Sequence, residues 1–208
     1  LNVFGDFEPK LSDAVKSVDN LFLANIHPSL QMSVRKQCKD ANLAGLDSMN
    51  LWIETERDAL IDAIGNVDLV FMNDAEVRML TQEPNLVRAA RKVMEMGPGV
   101  VVAKQGEYGA AMFTRDGFFA LPAYPLETVV DPTGAGDSFA GGFLGYLASR
   151  DDQSSDEELR RAMVYGSTLA SFNVEEFGTE RVSRLTREEI DERYNEFERM
   201  TALAGLPA

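Results

Sequence analysis

The residues best placed to do chemistry lie in one short segment. Asp131-Pro132-Thr133-Gly134-Ala135-Gly136-Asp137 puts an acidic side chain directly after two glycines, and Ser138, Phe139, Ala140, Gly141 and Gly142 follow. Pro132 has no N–H to give, so a strand through Thr128, Val129 and Val130 must end there. Gly134, Ala135 and Gly136 let the backbone turn sharply and approach a ligand closely. A helix starting at about Asp137 would present unpaired N–H groups and the positive end of its dipole, a setting that suits a phosphoryl group in transfer. Asp137 beside that anion hole could take a proton from a hydroxyl. Asp at a helix start is more often a plain cap, but the flanking glycines and the Asp131-Pro132 turn shift the balance toward chemistry. The small residues Ala140, Gly141 and Gly142 would let this helix pack closely on a sheet. A dinucleotide fingerprint would need Gly or Ala at position 139, which is Phe, and no Gly-Lys-Ser/Thr triplet of a P-loop occurs.

Other candidates are less specific. Asn73 followed by Glu76 has the spacing of a capping box, and it lies at the end of an apolar run, where ligands bind in parallel sheets. Lys104 precedes Gly106 and Gly109, glycines that a hairpin turn would use for positive φ. Asn25, Asp47 and Asn50 close two further apolar runs and are turn formers or contacts for a polar ligand. His27 is the one histidine and reads as a loop residue. With a single cysteine, Cys38, neither an internal disulfide nor a His/Cys zinc site is expected.

The elements that must position these residues alternate. Leu21 to Ala24, Leu43 to Leu46, Leu69 to Met72 and Val100 to Ala103 have strand length. Helical spacing covers Pro28 to Lys39, Glu54 to Ile64 and Asn85 to Met96. That alternation predicts a mostly parallel sheet covered by helices. After residue 99 the rhythm changes to short strands at Val100 to Lys104, Ala110 to Thr114 and Phe118 to Leu121, then Thr128 to Val130. Helices are expected over Asp137 to Ser149, Asp156 to Glu176 and Thr186 to Met200, the last opened by a capping box from Thr186 to Glu189.

The chain has 208 residues, with 20 Lys+Arg against 34 Asp+Glu and a net charge of −14. A nucleic acid or an anionic membrane would repel such a surface. No apolar run is long enough to span a membrane, and no signal-peptide pattern opens the chain, so a cytoplasmic location is expected.

Asp131 to Asp137, with Gly141-Gly142-Phe143-Leu144 after it, resembles the C-terminal signature of the PfkB, or ribokinase-like, sugar and nucleoside kinases. The resemblance implies a ribokinase-like three-layer αβα sandwich and an ATP-dependent sugar kinase. Asp137 would then be the base that touches the acceptor hydroxyl, and the backbone of Gly134, Ala135 and Gly136 the anion hole. It further implies Asn73 near the nucleotide phosphates, Glu76 organising Mg²⁺, and Lys104, Gly106 and Gly109 in the nucleotide loop. Ser167 would lie beside the adenine, Asp131 with the loop ending at Gly178 would form a K⁺ site, and Asn25 would face the acceptor. A nucleoside kinase of the same fold and a non-catalytic nucleotide-binding homologue remain alternatives.

The resemblance covers only the C-terminal part of the family. The earlier βα units, their acceptor-gripping motifs and the lid strands, which often build a homodimer, are not seen before Leu1. Leu1 to Phe4 reads as the end of a lid strand, and 1–208 as one α/β kinase domain with a frayed tail over 201–208.

Overall fold

The computed structural model describes residues 7–202. The expected lid-strand end at Leu1 to Phe4 and the end of the expected tail, 203–208, lie outside them. Those residues form two compact units. One comprises residues up to Lys104 with Ala111–Phe118; the other comprises Gln105–Ala110 with the residues from Phe119 onward.

In the first unit, α1 (Asp13–Lys16) leads to β1 (Asn20–Leu23), α2 (Pro28–Gln37), β2 (Leu43–Asp47), α3 (Asn50–Thr55), α4 (Arg57–Ile64) and β3 (Leu69–Asn73). Then come α5 (Asp74–Thr81), α6 (Leu86–Met94), β4 (Val100–Lys104) and β5 (Ala110–Thr114). β1 to β4 are parallel neighbours, with Leu46 opposite Val70, Val70 opposite Val101 and Asn73 opposite Lys104. The strands run in the order β1-β2-β3-β4-β5-β6, with β6 at Phe118–Leu121. Strands β2 to β4 are buried along most of their length, which is why they read as near-continuous apolar runs.

Leu46, Leu60, Ile64, Val70, Met72, Val77, Leu80, Ala90, Val93 and Val101 form one fully buried core. Two helix starts are set by local chemistry. Pro28 occupies the first turn of α2, where its missing N–H costs nothing, and His27 Nδ1 accepts from the Ser29 N–H at 3.3 Å. His27 is therefore a helix cap as well as a loop residue. The Asn85 side chain accepts from the Arg88 N–H at 3.0 Å and caps α6.

In the second unit, α7 (Ala135–Ala148), α8 (Asp156–Asn173) and α9 (Arg187–Thr201) dominate. The α9 capping box forms as expected. Thr201, expected in the tail, ends α9, with its hydroxyl donating to the Phe197 carbonyl at 2.8 Å. Residues 128–130 are not a strand. The Val130 N–H donates to the Val174 carbonyl at 2.8 Å instead of to a ladder, and Val129 and Val130 are exposed.

Small residues set the spacing of α7 and α8. A Cβ on Gly142 would come within 2.8 Å of the Tyr165 carbonyl, and one on Gly166 within 2.8 Å of the Phe139 carbonyl. They let α7 and α8 approach closely. Among the described residues, no helix is long and apolar enough to cross a membrane.

Candidate active site

The Gly-rich turn of the second unit is built from three anchors. Asp131 Oδ1 accepts from the Thr133 N–H at 3.0 Å and Oδ2 from the Gly178 N–H at 3.2 Å. These bonds, the one from Thr133 foremost, hold the Asp131 carboxyl below its ordinary value. Gly134 is the N-cap of α7 at φ +82°, a left-handed conformation that a side chain would strain. Asn173, 1% exposed, then locks the turn. Its Oδ1 accepts from the Ser138 hydroxyl at 2.9 Å, and its Nδ2 donates to the Thr133 carbonyl at 2.8 Å. Asn173 also ends α8, three residues short of the expected Glu176.

α7 begins at Ala135, two residues before the expected start. The Ala135 N–H is taken by the Pro132 carbonyl at 3.2 Å, so it does not serve the hole as expected. The next amides, of Gly136 and Asp137, precede the first intrahelical bond. No side chain caps this helix. Asp137 is not the N-cap: it sits in the first turn with an exposed side chain. Free amides, the positive helix end and a left-handed glycine fit a phosphoryl group.

The first unit carries the second group of candidates, at the carboxyl ends of its strands. Asn73 Oδ1 accepts from the Glu76 N–H and Glu76 Oε2 from the Asn73 N–H, both at 2.8 Å, so the capping box at the start of α5 is complete. Glu76 is 8% exposed. Burial raises its carboxyl above the ordinary value, opposed by the Asn73 N–H and by Lys104. Lys104 Nζ donates to Asp47 Oδ2 at 2.8 Å, and both side chains are largely buried. Among the described residues, no three His, Cys, Asp or Glu side chains are grouped to hold a metal. A single carboxylate such as Glu76 nevertheless fits Mg²⁺, which keeps most of its waters and takes one or two carboxylates. Asp131 gives both oxygens to backbone N–H groups and fits a turn anchor better than a K⁺ ligand.

The remaining candidates divide. Gly106 has φ +59° and open space where a side chain would be, which leaves room for a ligand. Gly109 has φ +101°, and its Cβ would lie 2.0 Å from the Leu121 carbonyl, so the approach it permits is by its own chain. Ser167 is buried on α8. Asn25 is exposed, and its Oδ1 accepts from Trp52 Nε1–H at 2.9 Å. Sequence reasoning missed two residues. Asn173 looked like helix interior, and Asp47 read as a turn former or a ligand contact, with no local signal that it meets Lys104.

Residues 4–185 match the model of the pfkB family carbohydrate kinase. The chain is 32% identical over 171 residues to a nucleoside kinase of Methanothermobacter thermautotrophicus, covering 81% of this chain and 52% of that protein. It is 43% identical over 98 residues to a cytidine kinase of Thermococcus kodakarensis, covering 45% of this chain and 34% of that protein. The chain thus spans about half or less of the length of these curated relatives. Its fold resembles the crystal structure of Methanocaldococcus jannaschii nucleoside kinase, an archaeal member of the ribokinase family. The TM-score is 0.70 at 24% identity, over 86% of this chain and 56% of that one.

Proposed function

The chain belongs to the pfkB family of carbohydrate kinases, and from that membership we propose that it is the nucleotide-binding portion of an ATP-dependent kinase acting on a nucleoside hydroxyl. The observation that carries the reading is the uncapped start of α7, with exposed Asp137 in its first turn. Asp137 is the general base that takes the proton of the acceptor hydroxyl. The Gly136 and Asp137 amides hold the oxygens of the transferring phosphoryl group, and Gly134 keeps the backbone low enough for them to reach it. Phosphoryl transfer needs mainly positioning and charge stabilisation, which these donors supply. Asn73 and Lys104 serve the nucleotide phosphates, Gly106 leaves them room, and Ser167 neighbours the base. ATP supplies the phosphoryl group, and Glu76 orients the waters of its Mg²⁺.

The nucleoside acceptor is supported by the cytidine and nucleoside kinases among the relatives. A sugar acceptor is the second reading, favoured by 34% identity over 118 residues to the deoxyribokinase of Salmonella typhi. A panel of nucleosides and free sugars, assayed for phosphate transfer, separates the two. Asp137→Asn is expected to lower kcat about 10²–10⁴-fold, the scale of general-base catalysis, with nucleotide affinity little changed. Near-normal turnover in that variant overturns the assignment. Nucleotide binding without transfer to any acceptor would favour a non-catalytic homologue.

A further inference from the structure

The ends of β2 and β4 carry a buried ion pair whose acidic member, Asp47, has no part in the proposed reaction. Asp47 is fixed on several sides. Its Oδ2 accepts from Lys104, its Oδ1 from the Ser48 N–H at 2.8 Å, and its carbonyl from Gln31 Nε2 at 2.9 Å. Gln31 Nε2 also donates to the Leu23 and Ala24 carbonyls, tying the ends of β1 and β2 together. The sheet register puts Asp47 opposite Phe71, while Lys104 lies opposite Asn73, two residues further along β3. Phe71 and Asn73 point to the same face, so Lys104 reaches back along that face to meet Asp47.

A second buried carboxylate lies beside this pair, because Glu76 accepts from the N–H of Asn73, the residue opposite Lys104 in the sheet. Glu76 feels Lys104 as an attraction and Asp47 as a repulsion. If Lys104 closed on Glu76, it would neutralise the carboxylate meant for the waters of a cation and withdraw its own charge from an anion. A buried ion pair contributes little net stability compared with apolar side chains of the same size, so stability alone is a weak reason for this one.

We propose that Asp47 is a positioning residue of the nucleotide phosphate site, holding Lys104 at the end of β4 and off Glu76. One ammonium proton is spent on Asp47, and the others are left for a phosphate. This rests on the reading of Lys104 and Glu76 given above.

The test is a double-mutant cycle on the chain with Mg·ADP as the probe, read by titration calorimetry and repeated at several Mg²⁺ concentrations. Lys104→Met is expected to weaken Mg·ADP about 10-fold, the scale of one charge-assisted contact. Asp47→Asn is expected to weaken it by a comparable factor and to raise the Mg²⁺ concentration needed. The double variant should bind no more weakly than Lys104→Met alone, because Asp47 acts only through Lys104. Additive losses, or an Asp47→Asn variant that loses thermal stability but keeps wild-type affinity, overturn the proposal. Unchanged affinity in Lys104→Met, or a wild-type chain that does not bind Mg·ADP, overturns instead the nucleotide reading on which it rests. Asp47→Ser takes the place of Asp47→Asn in the cycle if the latter does not fold.

Discussion

Replacing Asn173 by Ala tests whether the Gly-rich turn is held from behind. The side chain makes two hydrogen bonds, at 2.9 Å from the Ser138 hydroxyl and at 2.8 Å to the Thr133 carbonyl. At about 0.5–1.5 kcal/mol each, their loss destabilises the fold by about 1–3 kcal/mol. Thr133 is exposed, so water can replace part of that bond, and the lower half of the range is expected. The functional effect should be larger than the thermodynamic one. Thr133 precedes Gly134 and Ser138 follows Asp137, so both ends of the phosphate-holding turn lose their common anchor. A displacement of about 1 Å at a reacting centre costs on the order of 10²-fold in rate. The assay pairs urea unfolding with kcat and the KM for ATP. A variant destabilised as expected but with unchanged kcat would falsify the argument, because Asn173 would then be a buried polar residue with no hold on the turn.

Two further perturbations follow from the geometry. Gly109→Ala sets a Cβ 2.0 Å from the Leu121 carbonyl at φ +101°. We expect a loss of more than about 2 kcal/mol, read as a lowered urea midpoint, and a variant as stable as the wild type would mean that the chain does not need the close approach at Gly109. Glu189 is held down to about 2 by Arg181 at 2.6 Å and the Thr186 N–H at 2.9 Å. A carboxyl lowered on folding adds stability that is complete above about 4.5 and is lost as pH falls toward 2. Since its side chain is 38% exposed, solvent screens the effect. Wild type should therefore lose somewhat more stability than Glu189→Gln between pH 5 and pH 3, and parallel urea curves for the two would count against the pairing.

The elements and the turn chemistry were open to reading because they are written in short stretches of chain. The apolar runs of β1 to β4 and the hairpin pair Ala110–Thr114 and Phe118–Leu121 fall where period and turn residues place them. The capping boxes at Asn73 and Thr186 close over three residues, so spacing alone reveals them. The Asp131–Asp137 signature works the same way, since its glycines and its acid act on the backbone next to them. The strand expected at 128–130 failed for the opposite reason. A β-branched pair favours extended backbone, but a strand also needs a ladder, and here Val130 finds only the Val174 carbonyl.

The Asp131–Asp137 motif was thus enough to point to the family, and local pattern to the parallel strands and the capped starts of α5 and α9. The register of β2, β3 and β4 was needed to bring Asp47 to Lys104 across 57 positions of chain, and the approach of α8 to α7 was needed to set Asn173 behind the turn. Helix and strand periods repeat within a few residues and can be counted along a sequence. Which distant side chain ends up against which is settled by how the elements pack, and packing leaves no mark on the spacing of either partner.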